Sequence, residues 1–194
     1  MLLTACLLAV SLLLPVRPAA AAPMRLEDYE AGPYALGGDF TLTNHLGKKT
    51  SLHLYQGSVV LVFFGYTYCP DVCPTTLTEI AQMKKKLGQD ARRVQPLFIS
   101  VDPERDTAPR LKSYLSNFNA GIVGLTGTEA EIRAVATRYQ ARFARNPGAS
   151  KDGYLVDHTG FVYMLDPTGK VRYLFTYDAG AELLAQGARK LLKG

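Results

Sequence analysis

Residues 59–76, VVLVFFGYTYCPDVCPTT, decide the fold that the sequence predicts for this chain. The first six, 59–64, are apolar and rich in β-branched and aromatic side chains, which is typical of a strand buried on both faces. A glycine ends this run, and residues 75–87 then carry apolar side chains at helical spacing. The pattern predicts a strand, a tight loop and a helix, with Cys69 and Cys73 at the entrance of the helix.

The two cysteines of this stretch are four residues apart, so about one helical turn separates them and both sulfur atoms can point the same way. The free N–H groups of a helix N-terminus favour a thiolate over a thiol. Such a pair can close as a disulfide or bind one metal ion together. Two buried structural cysteines, or one fixed disulfide, would also fit the pattern, because a single cysteine pair is a weak signal.

Composition places the chain among ordinary globular proteins. Of its 194 residues, 47% are hydrophobic and 20% are charged, which suits one domain with a buried core and a short extension. The formal net charge is +5, but the basic residues are scattered among acidic ones and no basic block alternates with aromatic residues. We therefore expect no nucleic-acid partner. An acidic partner protein remains compatible with this charge.

The amino terminus has the composition of an export signal. Residues 2–14 are almost wholly apolar, and a run of alanines follows, which predicts a secretory signal cleaved after Ala21. The apolar run is shorter than the roughly 20 residues of a membrane span. The sequence Leu-Thr-Ala-Cys that ends at Cys6 looks like a lipoprotein lipobox, which would make Cys6 a lipid anchor. An uncleaved anchor is the third interpretation.

These features divide the chain into three parts. We interpret 1–21 as a signal peptide or N-terminal anchor, 22–33 as a linker and 34–194 as a single domain. The expected location is the periplasm, either free or attached to the inner membrane by the N-terminal segment. After export, Cys69 and Cys73 are the cysteines of the domain, and an oxidising compartment would convert them to a disulfide unless a reductant keeps them reduced.

The remaining predicted elements alternate between strands and helices. Before the cysteine stretch, 41–43 and 50–54 alternate in polarity and predict an N-terminal β-hairpin, with His45 in its turn and His53 on its second strand, both as surface residues. After it, the predicted elements are a buried strand at 94–101, a helix at 108–118, a short edge strand at 122–125, a helix that starts at 126 or 128 and ends at about 143, a loop at 146–153, a hairpin of strands 161–165 and 171–176, and a helix at 180–192. This order predicts a thioredoxin-like α/β fold: a central mixed sheet with helices on both faces and an N-terminal β-hairpin.

A third histidine, His158, precedes the strand predicted at 161–165. In a thioredoxin-like layout, the loop entering that strand lies beside the start of the cysteine helix. A neutral imidazole there can complete a set of two sulfur ligands and one nitrogen ligand, with Asp157 and Thr159 orienting the ring. A loop histidine with ordinary hydrogen bonds is the alternative. Asp102 follows the carboxyl end of the neighbouring strand, and we interpret it as a supporting residue or a turn residue.

The chemistry of these three ligands limits the choice of metal. Thiolates suit Cu(I), zinc and iron–sulfur clusters. A structural zinc site takes four protein ligands, and iron–sulfur clusters usually take four cysteines. Two sulfurs and one imidazole therefore favour copper, as Cu(I) or Cu(II), while a catalytic zinc ion with a bound water stays open.

Three motifs together resemble the Sco/SenC family: FGYTYCPDVCP at 64–74, SVDPERDT at 100–107, and VDHT at 156–159 with Tyr163 and DPTG at 166–169. The similarity covers roughly 34–194. The resemblance implies a thioredoxin-like fold, a copper ion on Cys69, Cys73 and His158, and export with or without a membrane anchor. It also implies a role in assembling the dinuclear copper centre of cytochrome c oxidase.

Two functions fit this resemblance and use the same residues. A copper chaperone would hold copper on the three ligands and pass it to a copper-accepting subunit of cytochrome c oxidase. A thiol–disulfide reductase would use Cys69 and Cys73 to reduce the copper-site cysteines of the oxidase. Either function needs a periplasmic thiol reductant or a copper donor. The spacing favours the chaperone, because thioredoxin-type catalysts usually carry Cys-x-x-Cys and because His158 has no evident task in plain exchange.

A peroxidase of the peroxiredoxin or glutathione peroxidase kind is a third interpretation, because those proteins share the fold. Peroxiredoxins place a threonine three residues before the reactive cysteine. Tyr66 occupies that position here, and Thr67 is one residue out of register. The sequence therefore disfavours peroxidase activity.

Overall fold

The computed structural model of the chain describes residues 24–148 and 153–194. The strands and α-helices of these residues are, in chain order, β1 (Thr41–Asn44), β2 (Lys49–Ser51), β3 (Val59–Gly65), α1 (Val72–Leu87), β4 (Val94–Ser100), α2 (Ala108–Ser116), β5 (Val123–Thr126), α3 (Glu129–Arg138), β6 (Phe143–Pro147), β7 (Tyr154–His158), β8 (Val162–Leu165), β9 (Val171–Phe175) and α4 (Gly180–Lys193). Short 3₁₀ helices occupy Leu26–Tyr29, Leu52–Tyr55 and Gly88–Arg93. The segment interpreted as a signal or anchor, including Cys6, lies outside the described residues.

Seven strands form one mixed sheet in the order β2-β1-β5-β4-β3-β8-β9. The three central strands β3, β4 and β5 are parallel, whereas β1, β2, β8 and β9 join by antiparallel pairing. A separate two-stranded sheet consists of β6 and β7. The predicted α/β class, with a thioredoxin-like mixed sheet and an N-terminal hairpin, is confirmed.

Strand β3 is the centre of the core, and every one of its residues is buried. Successive side chains of a strand point to opposite faces of the sheet. Phe63 packs against Phe98 on the face that also receives Cys73 of α1, while Phe64 packs against Tyr139 at the end of α3. Helices therefore cover both faces of β3, which explains why its sequence is apolar without alternation.

Helix α1 begins at Val72, three residues before the predicted start at residue 75. Pro74 lies in the first turn of the helix and does not prevent this earlier start. The first four N–H groups of a helix have no intrahelical partner, so a proline costs no hydrogen bond there. Cys73 consequently belongs to the first turn of α1, and Cys69 lies in the loop before it.

The N-terminal hairpin differs from its prediction at both histidines. Strand β2 ends at Ser51, and the chain turns into a 3₁₀ helix that buries Leu52 and leaves His53 exposed, so His53 is a surface residue but not on a strand. His45 is half-buried, and its Nδ1 accepts the N–H of Gly124 at 2.8 Å. The prediction of an exposed His45 without a role was therefore wrong. Burial and the neighbouring Lys112 lower the pKa of His45 below its ordinary value.

Two predictions about the second half of the chain were wrong. Strand β5 is not at the sheet edge, because β1 pairs with its free side and β2 provides the edge instead. The helix predicted to end at about 143 ends at Arg138, because Tyr139 turns into the core and Gln140 adopts a left-handed conformation with φ of 52°. The following residues form β6, which pairs with β7 in a hairpin that the sequence did not predict.

The segment before β1 packs against the domain. Leu26, Tyr29 and Ala31 are buried, the ring of Tyr29 lies 5.0 Å from that of Phe175, and Glu30 forms a β-bridge with Tyr173. These residues lie within 22–33, the stretch interpreted above as a linker. None of the helices in the described part of the chain combines the length and apolarity needed to cross a membrane.

Candidate metal centre

The end of β3 and the start of α1 fix the two cysteines. Cys73 is fully buried, and Cys69 is half-buried. Gly65, the last residue of β3, leaves room for the sulfur of Cys73, because a Cβ atom at this position would lie 2.7 Å from that sulfur and 2.8 Å from the ring of Phe98. The backbone N–H of Cys73 lies 3.5 Å from the sulfur of Cys69 and donates a hydrogen bond to it.

His158, the last residue of β7, reaches this pair from the separate hairpin. Its Nε2 lies 3.5 Å from the sulfur of Cys73. One ligand atom each from Cys69, Cys73 and His158 lies within 4.8 Å of the others. The structure thus brings together the three residues that the sequence pointed to, although 85 residues separate the second cysteine from the histidine.

The ring of His158 is held by packing and by one hydrogen bond. It makes edge-to-face contacts with Phe63 at 6.1 Å and Tyr66 at 5.7 Å between ring centroids. Its Nδ1 lies 3.2 Å from the carbonyl oxygen of Thr159. When a metal ion binds, a proton on Nδ1 keeps this hydrogen bond and leaves the lone pair of Nε2 for the ion, which is the tautomer that a metal ligand needs.

The two neighbours of His158 do not act as predicted. The hydroxyl of Thr159 accepts the N–H of Arg142, so Thr159 orients the ring only through its main-chain carbonyl. Asp157 is exposed, and alternation along β7 turns its side chain away from that of His158. Among the described residues, no hydrogen bond joins Asp157 to the ring, so the prediction for its side chain was wrong.

The two thiols have very different acidities. The hydrogen bond from the Cys73 thiol lowers the pKa of Cys69 to about 4 against the opposing effect of burial, with further help from His158 and the N–H groups of Asp71 and Cys73. Burial, together with the adjacent sulfur of Cys69, raises the pKa of Cys73 well above its ordinary value. The reduced, metal-free pair therefore holds one thiolate, on Cys69, at neutral pH.

The spacing of the ligand atoms suits one first-row metal ion. Bonds of about 2.3 Å to sulfur and 2.0–2.1 Å to nitrogen separate the ligands of one ion by roughly 3.5–4 Å. The observed distances, 3.5 Å from sulfur to nitrogen and none above 4.8 Å, are close to these values. Binding would remove the proton of Cys73, because the thiolate is the form that binds metal.

A buried carboxylate that the sequence analysis missed supports the loop before Cys69. Asp106 is fully buried and accepts hydrogen bonds from the N–H of Thr67 at 3.0 Å, from its hydroxyl at 2.6 Å and from Ser100 at 2.7 Å. Burial raises the pKa of Asp106 although these hydrogen bonds oppose it. Since the hydroxyl of Thr67 faces Asp106, it is not a peroxidase-type donor to the sulfur of Cys69.

Asp102, predicted as a supporting residue, contacts the hairpin and not the ligands. It is buried, and its carboxylate accepts the hydroxyl of Tyr154 at 2.7 Å and Nε of Arg105 at 2.5 Å. The guanidinium of Arg105 also donates to the carbonyl oxygen of Tyr154. Arg105 lies within the SVDPERDT motif, but no local pattern indicated that it contacts Tyr154.

Fold and site together define a thioredoxin-like protein with two sulfur ligands and one imidazole at the carboxyl end of its central strand. Comparison with known proteins agrees with this class. The family model described as SCO1/SenC matches residues 28–193, and the chain therefore belongs to the SCO1/SenC family.

Relatives and a solved structure support this membership. An SCO2-like protein of Rickettsia conorii is 35% identical over 155 residues, which cover 79% of this chain and 76% of that protein. The human mitochondrial SCO1 homolog is 39% identical over 72% of this chain, which spans 47% of that longer protein. The structure of Bradyrhizobium japonicum ScoI with copper bound is 42% identical and has a TM-score of 0.75, covering 81% of this chain and 100% of that chain.

Proposed function

We propose that this protein is a copper chaperone that binds one copper ion through Cys69, Cys73 and His158. The observation that carries the proposal is the convergence of their three ligand atoms within 4.8 Å. Two soft thiolates and one imidazole suit copper. The copper-bound ScoI, 42% identical to this chain, supports copper over zinc.

The acceptor follows from the SCO1/SenC resemblance and is the copper-accepting subunit of cytochrome c oxidase, in which copper completes the dinuclear centre. Copper passes by stepwise ligand exchange: each incoming thiolate of the acceptor displaces one ligand of this protein. Ligands of this protein, of the acceptor or of both coordinate the ion throughout, so the ion is never released into water.

A matched pair of histidine variants tests copper binding. Reduced protein binds one copper ion per chain, and His158→Ala lowers the affinity at least tenfold, because one of three ligands is lost. His53→Ala is the control, since His53 is exposed and lies on the 3₁₀ helix after β2. Copper stoichiometry by elemental analysis and affinity by competition with a chelator measure both. Equal copper affinity in His158→Ala and wild type would overturn the assignment of the third ligand.

A second candidate function, thiol–disulfide reduction, is favoured by the unequal acidities of the two thiols. The Cys69 thiolate attacks a disulfide of the partner and forms a mixed disulfide, releasing one partner thiolate. Cys73 then loses its proton and attacks Cys69, which releases the second partner thiol and leaves a Cys69–Cys73 disulfide. Two electrons have moved to the partner, and a periplasmic thiol reductant must return them before the next cycle.

His158 separates the two functions. It forms no bond in the exchange steps just described, and Cys73 is the main cause of the low pKa of Cys69, so His158→Ala should retain disulfide exchange while copper affinity falls. A chelator competition and a reaction with a small aromatic disulfide, run on the same samples, compare the two properties. Loss of both to the same extent would count against a chaperone with a dedicated third ligand.

The proposed location is the periplasm. Residues 1–21 supply a secretory signal or an anchor, with lipidation of Cys6 as the alternative attachment. The mass of the protein recovered from membrane and soluble fractions of an expressing cell distinguishes cleavage after Ala21 from retention or lipidation. A full-length, unmodified chain confined to the cytoplasm would overturn the proposal of export.

A further inference from the structure

The β6–β7 hairpin that carries His158 stands apart from the main sheet. Within residues 24–148 and 153–194, β6 and β7 pair only with each other. An open groove of about 700 Å³ lies between the hairpin and α3, and its lining includes Arg133 of α3, Phe143 and His158. In the described part of the chain, no main-chain pairing joins this hairpin to the seven-stranded sheet, so its side-chain contacts, together with the short connection from His158 to β8, hold His158 near the cysteines.

Several of those side-chain contacts lie at the start of β7. The hydroxyl of Tyr154 donates to the buried carboxylate of Asp102 at 2.7 Å, and Nη1 of Arg105 donates to the carbonyl oxygen of Tyr154 at 3.1 Å. The guanidinium carbon of Arg105 lies 3.6 Å from the centroid of the Tyr154 ring. Two residues further on, the N–H of Val156 donates to the hydroxyl of Tyr66 at 3.2 Å.

Arg105 joins the hairpin to the body of the protein. Its Nε forms the 2.5 Å ion pair with Asp102, which follows β4, and its side chain is only 15% exposed. The same guanidinium lies 4.6 Å from the ring centroid of Tyr68, in the loop that leads to Cys69. Charge-assisted hydrogen bonds and cation–π contacts are stronger away from water, and the side chain of Arg105 is mostly buried. One side chain thus contacts the hairpin, the end of β4 and the cysteine loop.

We propose that Asp102, Arg105 and Tyr154, hereafter the hairpin clamp, are positioning residues for His158. The clamp holds the first residue of β7, and His158 is the last. Four residues of strand span about 13 Å, and a strand is stiff over this length, so a small tilt at Tyr154 displaces the imidazole from the two sulfurs. The expected effect of the clamp on copper binding rests on the proposed function, but the clamp itself is a property of the metal-free protein.

Tyrosine-to-phenylalanine variants test the clamp first without metal. Tyr154→Phe keeps the ring and removes only the hydroxyl bonded to Asp102. In reduced, metal-free protein, we expect the amides of β6 and β7 to exchange hydrogen about tenfold faster, while those of β3 and β4 keep their protection. Tyr177→Phe, at a tyrosine that is 49% exposed, is the matched control and should leave all rates unchanged. Unchanged exchange of β7 in Tyr154→Phe, or equal acceleration in β3, would overturn the inference.

A double-mutant cycle then tests whether the clamp acts through His158. Tyr154→Phe should weaken copper binding about tenfold in the protein with His158 and less than twofold in the His158→Ala background. Equal weakening in both backgrounds would show a general loss of structure and refute a positioning role. Arg105→Lys, which keeps the charge but not the planar contacts, should give the same pattern as Tyr154→Phe.

The two experiments separate the clamp from the proposed function. If His158→Ala binds copper as tightly as the wild type, the copper assignment of His158 fails, and hydrogen exchange still decides whether the clamp holds the hairpin. If His158→Ala loses copper affinity and Tyr154→Phe leaves β7 protected, the proposed function stands and the clamp is refuted.

Discussion

Gly65→Ala should disturb the cysteine site through a single added carbon atom. The new Cβ would lie 2.7 Å from the sulfur of Cys73, 2.8 Å from Phe98 and 3.1 Å from Phe63. Non-bonded carbon atoms prefer separations of about 3.5–4.0 Å, so the sulfur must move by roughly 1 Å. Strand β3 cannot shift to make room, because β4 and β8 pair with it on its two sides.

The expected cost of Gly65→Ala is about 1–3 kcal/mol of unfolding free energy, the usual range for overpacking a core. For a domain of this size, each kcal/mol shifts Tm by roughly 2–4 °C. Because the atom that must move is a proposed ligand, copper affinity should also fall about tenfold, which corresponds to about 1.4 kcal/mol. Urea unfolding and chelator competition on the same preparation measure the two effects.

Gly160→Ala is the matched control for this experiment. Gly160 also lies near the site, but a Cβ there meets nothing closer than Val72 at 3.5 Å, which is an ordinary contact. Its stability and copper affinity should stay near those of the wild type. The reasoning is refuted if Gly65→Ala matches the wild type in both properties. A stability loss with unchanged copper affinity would show that Gly65 matters for core packing and does not determine the position of the Cys73 sulfur as a ligand.

Three further predictions concern groups around and beyond the site. At pH 7 a small alkylating reagent should modify Cys69 and spare Cys73, and modification should decline only as the pH falls towards about 4. Mass spectrometry of a reduced, metal-free sample locates the label. Preferential labelling of Cys73 would contradict the assigned acidities. Thr67→Val should cost about 1–3 kcal/mol in urea unfolding, because it leaves one oxygen of the buried Asp106 without a donor; a loss below 0.5 kcal/mol would argue against this network. The folded-state pKa of His45 lies below its unfolded value of about 6.5, so its contribution to stability is fully present above pH 6.5 and declines as the pH falls towards the lowered pKa. His45→Asn keeps an acceptor for the N–H of Gly124 but does not titrate, so its Tm should fall less than that of the wild type between pH 7.5 and pH 5. An identical fall in Tm in both proteins would rule out His45 as a cause of the pH dependence.

The parts of the fold that the sequence predicted are those whose signal is local. The apolar run at 59–64 matched β3, because a strand buried on both faces needs no alternation. Strand β6 gave no such signal: its residues, Phe143–Pro147, are mostly exposed, and its polar sequence resembles a loop. The place of β5 inside the sheet was equally hidden, since pairing with β1 depends on contacts about 80 residues apart.

The candidate site shows the same division between local and distant information. Cys69 and Cys73 follow from the loop and the first turn of α1, and His158 followed from the expected layout of a thioredoxin-like sheet. The clamp residues could not be found in this way, because the hydroxyl of Tyr154 meets Asp102 across 52 residues and no spacing rule connects them. Asp102, after the end of β4, was predicted as a supporting residue, but its partner Tyr154 lies on a hairpin that the sequence did not predict.

The unequal burial of the three candidate ligands would set an order for the copper transfer proposed above. Cys73 is fully buried under Gly65, whereas Cys69 and His158 are half-buried and face the surface. In the proposed transfer, an incoming thiolate would approach the ion from the accessible side, and we expect it to displace Cys69 or His158 before Cys73. Withdrawal of His158 would break no pairing of the main sheet, but it would have to overcome the contacts of the hairpin clamp. We therefore expect Cys73 to be the last of the proposed ligands to leave the ion. The contrast in alkylation between Cys69 and Cys73 measures the accessibility on which this order depends.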